Sequence, residues 1–499
     1  MEMRMRICKF SISILLVLAL LSPGLLASGF ENSGIGLKAR GMSGAFSAIA
    51  DDWTAAYYNP AGYAFIYDNQ WGANFAFVHY RNELTPNYNW PGEDDWDQPG
   101  IYNGLNIYNI HEILSNPSVG FVARVPLFGE TVFGLSGFQP FDNNISWKLY
   151  EHDLAYNDSL SLPVNQFRNN LDVVAFQLTL AKEYLDGKLG IGLGLQLLRA
   201  DLNQDNTIFR DNPFYDNLPS QLQTLLMKKV TEFNHNDGNG YGFGFKLGTL
   251  YKVNESVNLA FNLNVPLDID ISGISELEYH MPKVPSLSSD SVQITNPGPG
   301  NLFVAGSRII DTADFDATLN LPVSFGGGVS YQMNEKLKIA VDAEITLWDS
   351  FDGLTFAFSD HRGLPTSADT SDIVRDFMTS DLSYPVKWDN TFKIMAGFDY
   401  SYTDYLTIIG GSIFDQSPIR STQQTTPLFT DTGNKLGISG GFIFHIQQWD
   451  LGIISSYTKY DDLNVSSLTD FDDDGNVDNF AGDYKSKTYE TVLSFNYRF

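Results

Sequence analysis

The strongest constraint on the fold is the alternation of residue types that ends the chain. Counting back from the last residue, one face of the segment is largely apolar and aromatic: Phe499, Tyr497, Phe495, Leu493, Thr491 and Tyr489. The other face is mostly polar: Arg498, Asn496, Ser494, Val492 and Glu490. Strict alternation places every second side chain on the same side of a β-strand. The chain is therefore predicted to end in a strand with one oily face and one polar face.

The same two-residue period recurs upstream, over residues 257–265, 337–347 and 392–402. Amides, carboxylates or lysines occupy one face of each segment, and aliphatic or aromatic residues occupy the other. Such strands build a transmembrane β-barrel when the polar face lines the lumen and the apolar face meets lipid. A soluble barrel or sandwich would invert the two faces, and alternation alone does not distinguish them. An aromatic C-terminus is typical of outer-membrane barrels and favours the membrane interpretation.

The N-terminus favours export. Basic residues precede an apolar stretch, residues 10–21, that is too short to span a bilayer comfortably. Small residues follow, so residues 1–27 are predicted to be a signal peptide cleaved after Ala27, with an uncleaved anchor helix as the alternative. The single cysteine, Cys8, lies inside this peptide. The mature chain would then have no thiol for disulfides, thiolate metal sites or a cysteine nucleophile.

Composition agrees with an exported barrel. Aromatic residues make up 14% of the chain and 43 residues are glycine, yet no later apolar run approaches the length of a spanning helix. The formal net charge of -28 argues against nucleic acid as a partner. Much of the acidity falls in predicted extracellular segments, such as residues 93–97, where a solvated surface is the expected role.

Short and long connections alternate along the chain. Six short turns are predicted near residues 128–129, 186–187, 254–255, 334–335, 403–404 and 447–448. Seven long polar segments lie between and around them: residues 85–116, 141–169, 205–237, 277–315, 360–385, 421–433 and 461–484. Outer-membrane barrels alternate short periplasmic turns with long extracellular loops. These thirteen connections predict fourteen strands within residues 67–499, with twelve or sixteen as the nearest alternatives, and place both ends of the barrel chain in the periplasm.

Glycine is concentrated on two predicted lumen-facing surfaces. Two runs of alternate glycines carry this signal: Gly190, Gly192 and Gly194, and Gly240, Gly242 and Gly244. Glycine in a strand marks a bend or the close approach of another backbone. The pattern leaves both explanations open, either curvature of the barrel or a segment packed against its wall.

Residues 28–66 separate the signal peptide from the first convincing strand, which is predicted over residues 70–84. They are rich in small residues and too polar and irregular for a lipid-facing strand. A plug inside the barrel is the predicted place for them. Asp51 or Asp52 would cap a short helix that ends before Pro60.

The plug region also carries a family resemblance. Residues 39–62, ARGMSGAFSAIADDWTAAYYNPAG, resemble the N-terminal hatch of the outer-membrane transporters of long-chain fatty acids and hydrophobic compounds, the FadL/TodX group. Residues 397–400 and 414–418 resemble two late strands of that group. The resemblance implies an all-β fold, a 14-stranded antiparallel transmembrane β-barrel with an N-terminal hatch inside the lumen.

The resemblance also implies roles for individual residues. The extreme N-terminus of these transporters reaches into the ligand pocket, which implies a ligand-binding or gating role for Phe30. Structural roles in the hatch are implied for Gly41, Gly44, Asp51, Asp52, Asn59, Pro60 and Ala61. Ligand would be captured near the extracellular loops, held in the barrel and released sideways through a gap in the wall.

An apparent catalytic motif is weak. Residues 437–441 fit the G-x-S-x-G pattern of hydrolases, which requires a strained turn from a strand into a helix. Here Ser439 lies mid-strand, and His445 is six residues further along, roughly 20 Å away. A lipid hydrolase would need a serine–histidine pair that the sequence does not place together, so no enzyme activity is predicted.

One loop resembles the beginning of a calcium-binding loop. Its candidate oxygen ligands have the required spacing: Asp470, Asp472, Asp474 and Asp478. Ala481 stands at the twelfth position, where a bidentate glutamate belongs. A weak calcium site and a simple acidic hairpin tip both remain open.

Together with these patterns, the resemblance implies a passive outer-membrane channel for long-chain fatty acids or other hydrophobic small molecules. No cofactor is expected, with calcium at residues 470–478 left open. The expected partners are the apolar ligand, outer-membrane lipid and the barrel-assembly machinery, which reads the C-terminal strand. The alternative is a barrel that serves as a scaffold or shuttle in protein secretion, because a related group shares a similar hatch string.

Overall fold

The computed structural model describes residues 29–86, 104–110, 113–125, 131–149, 166–218, 220, 223, 225–282, 302–303, 306–365, 371–419, 428–429, 433–467, 469 and 479–499. The predicted signal peptide, the turn at 128–129 and the four aspartates of the calcium-like loop (Asp470, Asp472, Asp474 and Asp478) lie outside this part of the chain. Within it, no helix is both long and apolar enough to cross a membrane.

Fourteen antiparallel strands of the described residues form the wall, and four of them are broken into two segments. Their bounds are β1 Gln70–Pro86, β2 Ile113–Val125, β3 Thr131–Trp147, β4 Phe167–Tyr184, β5 Leu189–Asp211, β6 Lys229–Lys252, β7 Val257–Pro266 with Ile269–His280, β8 Arg308–Leu319 with Ser324–Gln332, β9 Leu337–Thr346 with Gly353–Ser359, β10 Leu382–Pro385 with Thr391–Thr403, β11 Leu406–Asp415, β12 Lys435–Ile446, β13 Trp449–Tyr460 and β14 Gly482–Arg498. Short strands at Ile107–Tyr108 and Leu463–Val465 extend the sheet above β1 and β14.

The wall closes on itself. The first strand pairs with the last over their whole lengths, from Gln70 opposite Arg498 to Pro86 opposite Gly482. Every other strand pairs with its neighbour in the chain. Closure satisfies the backbone groups that an open sheet would expose to lipid, which is why a barrel can cross a bilayer. The predicted fold, a fourteen-stranded antiparallel barrel, is confirmed.

The two faces are arranged as a membrane barrel requires. On β7 the outward Phe261 is 50% exposed, and on β9 the inward Asp342 is only 4% exposed. Apolar side chains therefore point away from the lumen, and the inverted, soluble arrangement is excluded. Five of the predicted turns lie between strands at the expected positions, and the sixth is outside the described residues.

The predicted extracellular loops were too long. Residues 205–237 were expected to be a loop, yet β5 continues to Asp211 and β6 begins at Lys229, and β7 and β8 likewise extend into the predicted loop 277–315. On this part of β5 the outward Asp205 contacts His235 of β6 at 2.6 Å. The strands rise above the lipid there, so the apolar face that marks a strand in the sequence is lost while the hydrogen-bonded ladder continues.

The helices of the described residues are short. They are α1 Leu37–Gly41, α2 Ala55–Tyr58, α3 Leu225–Lys228 and α4 Asp372–Thr379, with 3-10 turns at Pro60–Phe65, Tyr215–Asn217 and Trp348–Ser350. The N-cap of α2 is Thr54, so the predicted cap at Asp51 or Asp52 is wrong by two or three residues. The physical reason is visible in Asp52, whose carboxylate accepts hydrogen bonds from the Thr54 amide and hydroxyl and closes the turn before the helix.

Candidate functional site: the hatch and the aromatic cage around Phe30

The N-terminal segment from Gly29 to Ile66 packs inside the barrel, and wall glycines make room for it. A Cβ atom on Gly192 would overlap the backbone of Pro60 and Ala61, and one on Gly397 would overlap Met42. At Gly190 and Gly192 the glycine run therefore marks the close approach of the hatch. At Gly240 and Gly242 the nearest atoms belong to Asp268, Ile269 and Asp270 of the neighbouring wall, so there the glycines serve the curvature of the sheet.

Asn59 ties the hatch to the wall. Its amide nitrogen donates to the carbonyl oxygens of Ser47, at 3.0 Å, and Thr249, at 3.1 Å. Its side-chain oxygen accepts from the Ala61 amide at 3.1 Å and so caps the 3-10 turn that begins at Pro60. One fully buried side chain thereby joins two parts of the hatch to β6.

Two buried carboxylates of the wall hold the hatch as well. Asp342 accepts hydrogen bonds from the amides of Phe46, at 3.0 Å, and Ser47, at 2.7 Å. Glu490 of the last strand forms a buried ion pair with Arg40. Breaking such a pair leaves an uncompensated buried charge, at a cost of about 3–5 kcal/mol. These contacts favour a seated hatch.

The other predicted hatch residues lie in tight or charged surroundings. A Cβ on Gly41 would overlap Ile409, and Gly44 has a φ of +91°, which favours glycine. Asp51 pairs with Lys38 at 2.8 Å. Burial, with Asp51 beside it, raises the pKa of Asp52 to about 6.

Phe30 lies in a cage of aromatic rings and is 2% exposed. The ring centroids of five partners lie within 6.2 Å of its own: Trp348 at 5.0 Å, Phe351 at 5.2 Å, Phe141 at 5.9 Å, Trp388 at 6.0 Å and Phe429 at 6.2 Å. Several of these pairs are edge-to-face, the arrangement that aromatic quadrupoles prefer. The cage is apolar and is filled by the side chain of the chain's own N-terminal segment.

The cage is built where the wall strands are interrupted. Trp348 and Phe351 lie between the two segments of β9, and Trp388 lies between the two segments of β10. Phe141 follows a register shift in β3, between Phe138 and Phe141. A regular strand would hold these side chains against the wall, whereas the interruptions let them converge on one point in the lumen.

The residues beside Phe30 are held by charge and by the backbone. Lys393 of β10 lies 2.6 Å from Glu31 and 2.8 Å from Glu344. The amide of Asn32 donates to the Pro140 carbonyl at 2.9 Å, and the Asp142 amide donates to the Phe30 carbonyl at 3.0 Å. The N-terminal segment is thus paired like an extra strand with the irregular part of β3. A cavity of about 120 Å³, large enough to hold water, borders Phe30, Glu31 and Lys393.

The irregularity in β3 also interrupts the strand pairing of the wall. The pairing of β2 with β3 runs from Val125 opposite Thr131 to Val119 opposite Gly137. Beyond that pair, in the described part of the chain, β2 remains bonded to β1 while β3 departs from it. A side-chain bond from Asn116 to Asp142, 3.3 Å long, bridges the two strands there. We call this interval the β2–β3 gap.

The comparison with known families decides what kind of barrel this is. A family described as outer membrane protein transport protein (OMPP1/FadL/TodX) matches residues 18–499. The chain belongs to this family. It is accordingly a β-barrel protein of the bacterial outer membrane, as the sequence predicted.

Relatives of this FadL/TodX-family chain are distant in sequence and similar in length. Outer membrane protein P1 of Haemophilus influenzae is 21% identical over 513 residues, covering 98% of this chain and 100% of the relative. A putative outer membrane protein of Neisseria meningitidis, NMB0088, is 20% identical, covering 87% and 86%.

Solved structures share the fold. A FadL homologue of Pseudomonas aeruginosa has a TM-score of 0.69 at 18% identity, covering 94% of this chain and 99% of that one. The P. putida toluene transporter TodX has a TM-score of 0.65 at 14% identity, with the same coverage.

In this FadL/TodX-family barrel the apparent hydrolase motif has a structural role. The Ser439 hydroxyl donates to the Gly41 carbonyl at 2.8 Å and lies 2.7 Å from the Ser43 hydroxyl. His445 instead contacts Asp450 at 2.6 Å and Thr407 at 2.9 Å. The serine therefore holds the hatch, and the histidine belongs to a separate polar cluster.

Sequence reasoning missed most of the cage. Phe30 was singled out, whereas Trp348, Phe351 and Trp388 were not, and neither was Lys393 as the partner of Glu31. One signal was available: Trp348 directly follows the alternation of residues 337–347, and Trp388 lies shortly before that of residues 392–402. Which interruptions face one another across the lumen depends on closure of the barrel, which the sequence does not display.

Proposed function

We propose that this protein is a passive outer-membrane channel through which long-chain fatty acids or other hydrophobic small molecules diffuse, and that it is not an enzyme. The observation that carries the proposal is the aromatic cage, which is apolar, buried and filled by Phe30. One structural neighbour, TodX of P. putida, is named a toluene transporter, and toluene is a hydrophobic small molecule.

The energetics favour exchange of Phe30 for a ligand. Burying one phenylalanine side chain contributes about 1.5–3 kcal/mol, and each buried methylene contributes about 0.8 kcal/mol. An alkyl chain that buries four or more methylenes therefore gains as much free energy from burial as the Phe30 side chain does. A longer chain also offsets the loss of the Glu31–Lys393 contact. Ligand binding would then release the N-terminal segment from the cage.

Release would occur sideways. Asn32 and Gly34 to Gly36 lie with Asn116 and Gln139 around a small cavity behind the β2–β3 gap. Phe30 is thus joined along the chain to Asn32 and Gly34 to Gly36, the residues that block the gap from inside. Displacing one end of this segment loosens the other, and an apolar ligand passes down its own gradient into the membrane.

The test is equilibrium binding of two separate probes, palmitate and toluene, to the folded barrel in detergent, followed by tryptophan fluorescence. Phe30→Ala should bind at least one probe about tenfold more tightly than the wild type, because removal of 1.4 kcal/mol of competition is a factor of ten. Phe442→Ala, a change on the lipid-facing surface of β12, is the matched control and should bind like the wild type.

Failure of both probes to bind any folded variant would overturn the proposal. Capture of a secretion partner by the same preparation would then favour the scaffold or shuttle. If Phe30→Ala binds a probe with wild-type affinity, the protein would still be a channel for that probe, but Phe30 would not belong to the binding site.

A further inference from the structure

Three positively charged residues lie side by side on the outer surface of the wall. Lys459 of β13 is directly opposite Lys487 of β14, and Lys487 is directly opposite Arg81 of β1. Each has the same parity on its strand as an exposed apolar residue closer to the periplasmic end, so all three side chains point outward. Those apolar residues are Phe77, Ile453 and Leu493. We call Lys459, Lys487 and Arg81 the cation row.

The cation row has no carboxylate partner in the described part of the chain. None of its three residues forms an ion pair there, although the chain has 59 acidic residues against 31 lysines and arginines. In the next row towards the cell exterior, Lys485 and Glu83 pair with each other at 3.7 Å. Like charges directly opposite one another destabilise a sheet. An anion bound to the cation row would therefore stabilise this part of the wall.

The position of the cation row along its strands sets its height in the membrane. Ten residues separate it from a row of aromatic residues at the periplasmic end of the same three strands: Trp71, Trp449 and Tyr497. With a rise of about 3.3 Å per residue and a tilt of about 40°, ten residues climb about 25 Å, the height of the apolar band of an outer-membrane barrel. The cation row therefore lies at the extracellular boundary of the membrane.

The residues immediately below the cation row agree with this height. Tyr457 and Tyr489 lie two residues closer to the periplasm, and their ring centroids are 5.3 Å apart. Tyrosine is enriched where a membrane protein meets the boundary between lipid and water. Further down, Ile453 and Leu493 are 43% and 45% exposed on the lipid-facing surface. An amphiphile bound here would place anionic groups on the cation row and acyl chains on these apolar residues.

We propose that the cation row binds the phosphate groups of lipid A, the phosphorylated glycolipid of the outer leaflet. Phosphate oxygens are strong acceptors for lysine and arginine, and basic clusters at a membrane surface recognise anionic lipid headgroups. The headgroups of the periplasmic leaflet lie at the opposite boundary, beside Trp71 and Trp449, and do not reach the row. This inference goes beyond the proposed function and does not depend on which ligand the channel carries.

The test is native mass spectrometry of the folded barrel after incubation with mixed micelles that contain lipid A. The wild type should retain lipid A, and it should retain at least tenfold less of the same lipid after both phosphates have been removed. The double change Lys459→Gln and Lys487→Gln should lower the retained fraction of intact lipid A at least tenfold, because one cation of the row remains.

The matched control removes the same amount of charge from outward-facing cations that already have a partner. Arg199 pairs with Asp201 at 2.6 Å, and Arg308 pairs with Glu278 at 2.5 Å. The double change Arg199→Gln and Arg308→Gln should therefore retain lipid A like the wild type. Heat-modified gel mobility verifies that each barrel is folded, and the comparison of the two lipids on the wild type needs no variant at all.

The melting temperature gives a second readout. Without lipid, the variant with Lys459→Gln and Lys487→Gln should melt no lower than the wild type, because repulsion within the row is relieved. Lipid A should raise the melting temperature of the wild type more than that of this variant. Equal retention of lipid A by the two barrels, or equal retention by the wild type with and without the phosphates, would overturn the inference. So would inorganic phosphate that stabilises the wild type as much as lipid A does, since the row would then bind a free anion.

Discussion

At the scale of single residues, Phe30 and Glu31 are adjacent in the chain but make different contacts. Phe30 fills the aromatic cage, whereas Glu31 forms an ion pair with Lys393 that also includes Glu344. The alternation of residues 392–402 predicted that Lys393 faces the lumen. It could not predict the partner, because Glu31 is 362 positions away in the chain.

Replacing Lys393 tests this contact. In Lys393→Met the carboxylates of Glu31 and Glu344 lose their shared cation, so the N-terminal segment should leave its place more often. Hydrogen exchange of a peptide covering residues 29–36 should become at least tenfold faster than in the wild type. Lys459→Met, a change at an exposed lysine on β13, should leave that exchange rate unaltered. Unaltered exchange in Lys393→Met would show that backbone pairing with β3 suffices to hold the segment.

The calcium-like loop is a second prediction at this scale, and it rests on sequence alone. If the four aspartates at 470–478 bind calcium, millimolar calcium should raise the melting temperature of the folded barrel. The double change Asp472→Asn and Asp474→Asn should abolish that rise. A melting temperature that does not respond to calcium in the wild type would favour the acidic hairpin tip.

At the scale of elements, strands and hatch are fitted to one another through glycine. The run at Gly190 and Gly192 meets the turn of Pro60 and Ala61, and Gly397 and Gly411 meet Met42. Alternation predicted that Gly190, Gly192 and Gly397 face the lumen, but only the packed structure separates contact with the hatch from curvature of the wall.

Gly192→Val tests the fit between wall and hatch. The new side chain would overlap the backbone of Pro60 and Ala61, which cannot yield as a flexible side chain does, so the hatch should be displaced. Ion conductance of the barrel in planar bilayers should rise clearly above that of the wild type. Gly440→Val, on an outward-facing position, is the control and should conduct like the wild type. A conductance equal to that of the wild type in both variants would mean that the hatch can shift without opening a path for ions.

At the scale of the whole molecule, closure of the barrel joins distant parts of the chain. The last strand lies between β1 and β13, and the amide of Phe499 donates to the Asn69 carbonyl at 2.9 Å. Glu490 and Asn496 of this strand also reach the hatch, through Arg40 and Trp53. The C-terminal strand therefore completes both the wall and the seat of the hatch.

Deletion of Phe499 separates folding from assembly. Its side chain is 57% exposed and contributes little to the packed interior, so the shortened chain should refold in detergent micelles with nearly the wild-type yield. If the assembly machinery reads the aromatic terminus, the amount of folded barrel in the outer membrane of cells should fall several-fold. Equal amounts in cells would remove that role from Phe499.

The sequence by itself determined the strand positions inside the membrane, the orientation of their faces, the number of strands and the five short turns that lie within the described residues. Each of these follows from local physics, since a side chain on a strand meets either lipid or lumen according to its parity. The tertiary structure alone decided the aromatic cage, the ion pair of Lys393 and the β2–β3 gap. These depend on which strand interruptions meet once the wall has closed around the hatch, and alternation within single strands carries no information about contacts across the lumen.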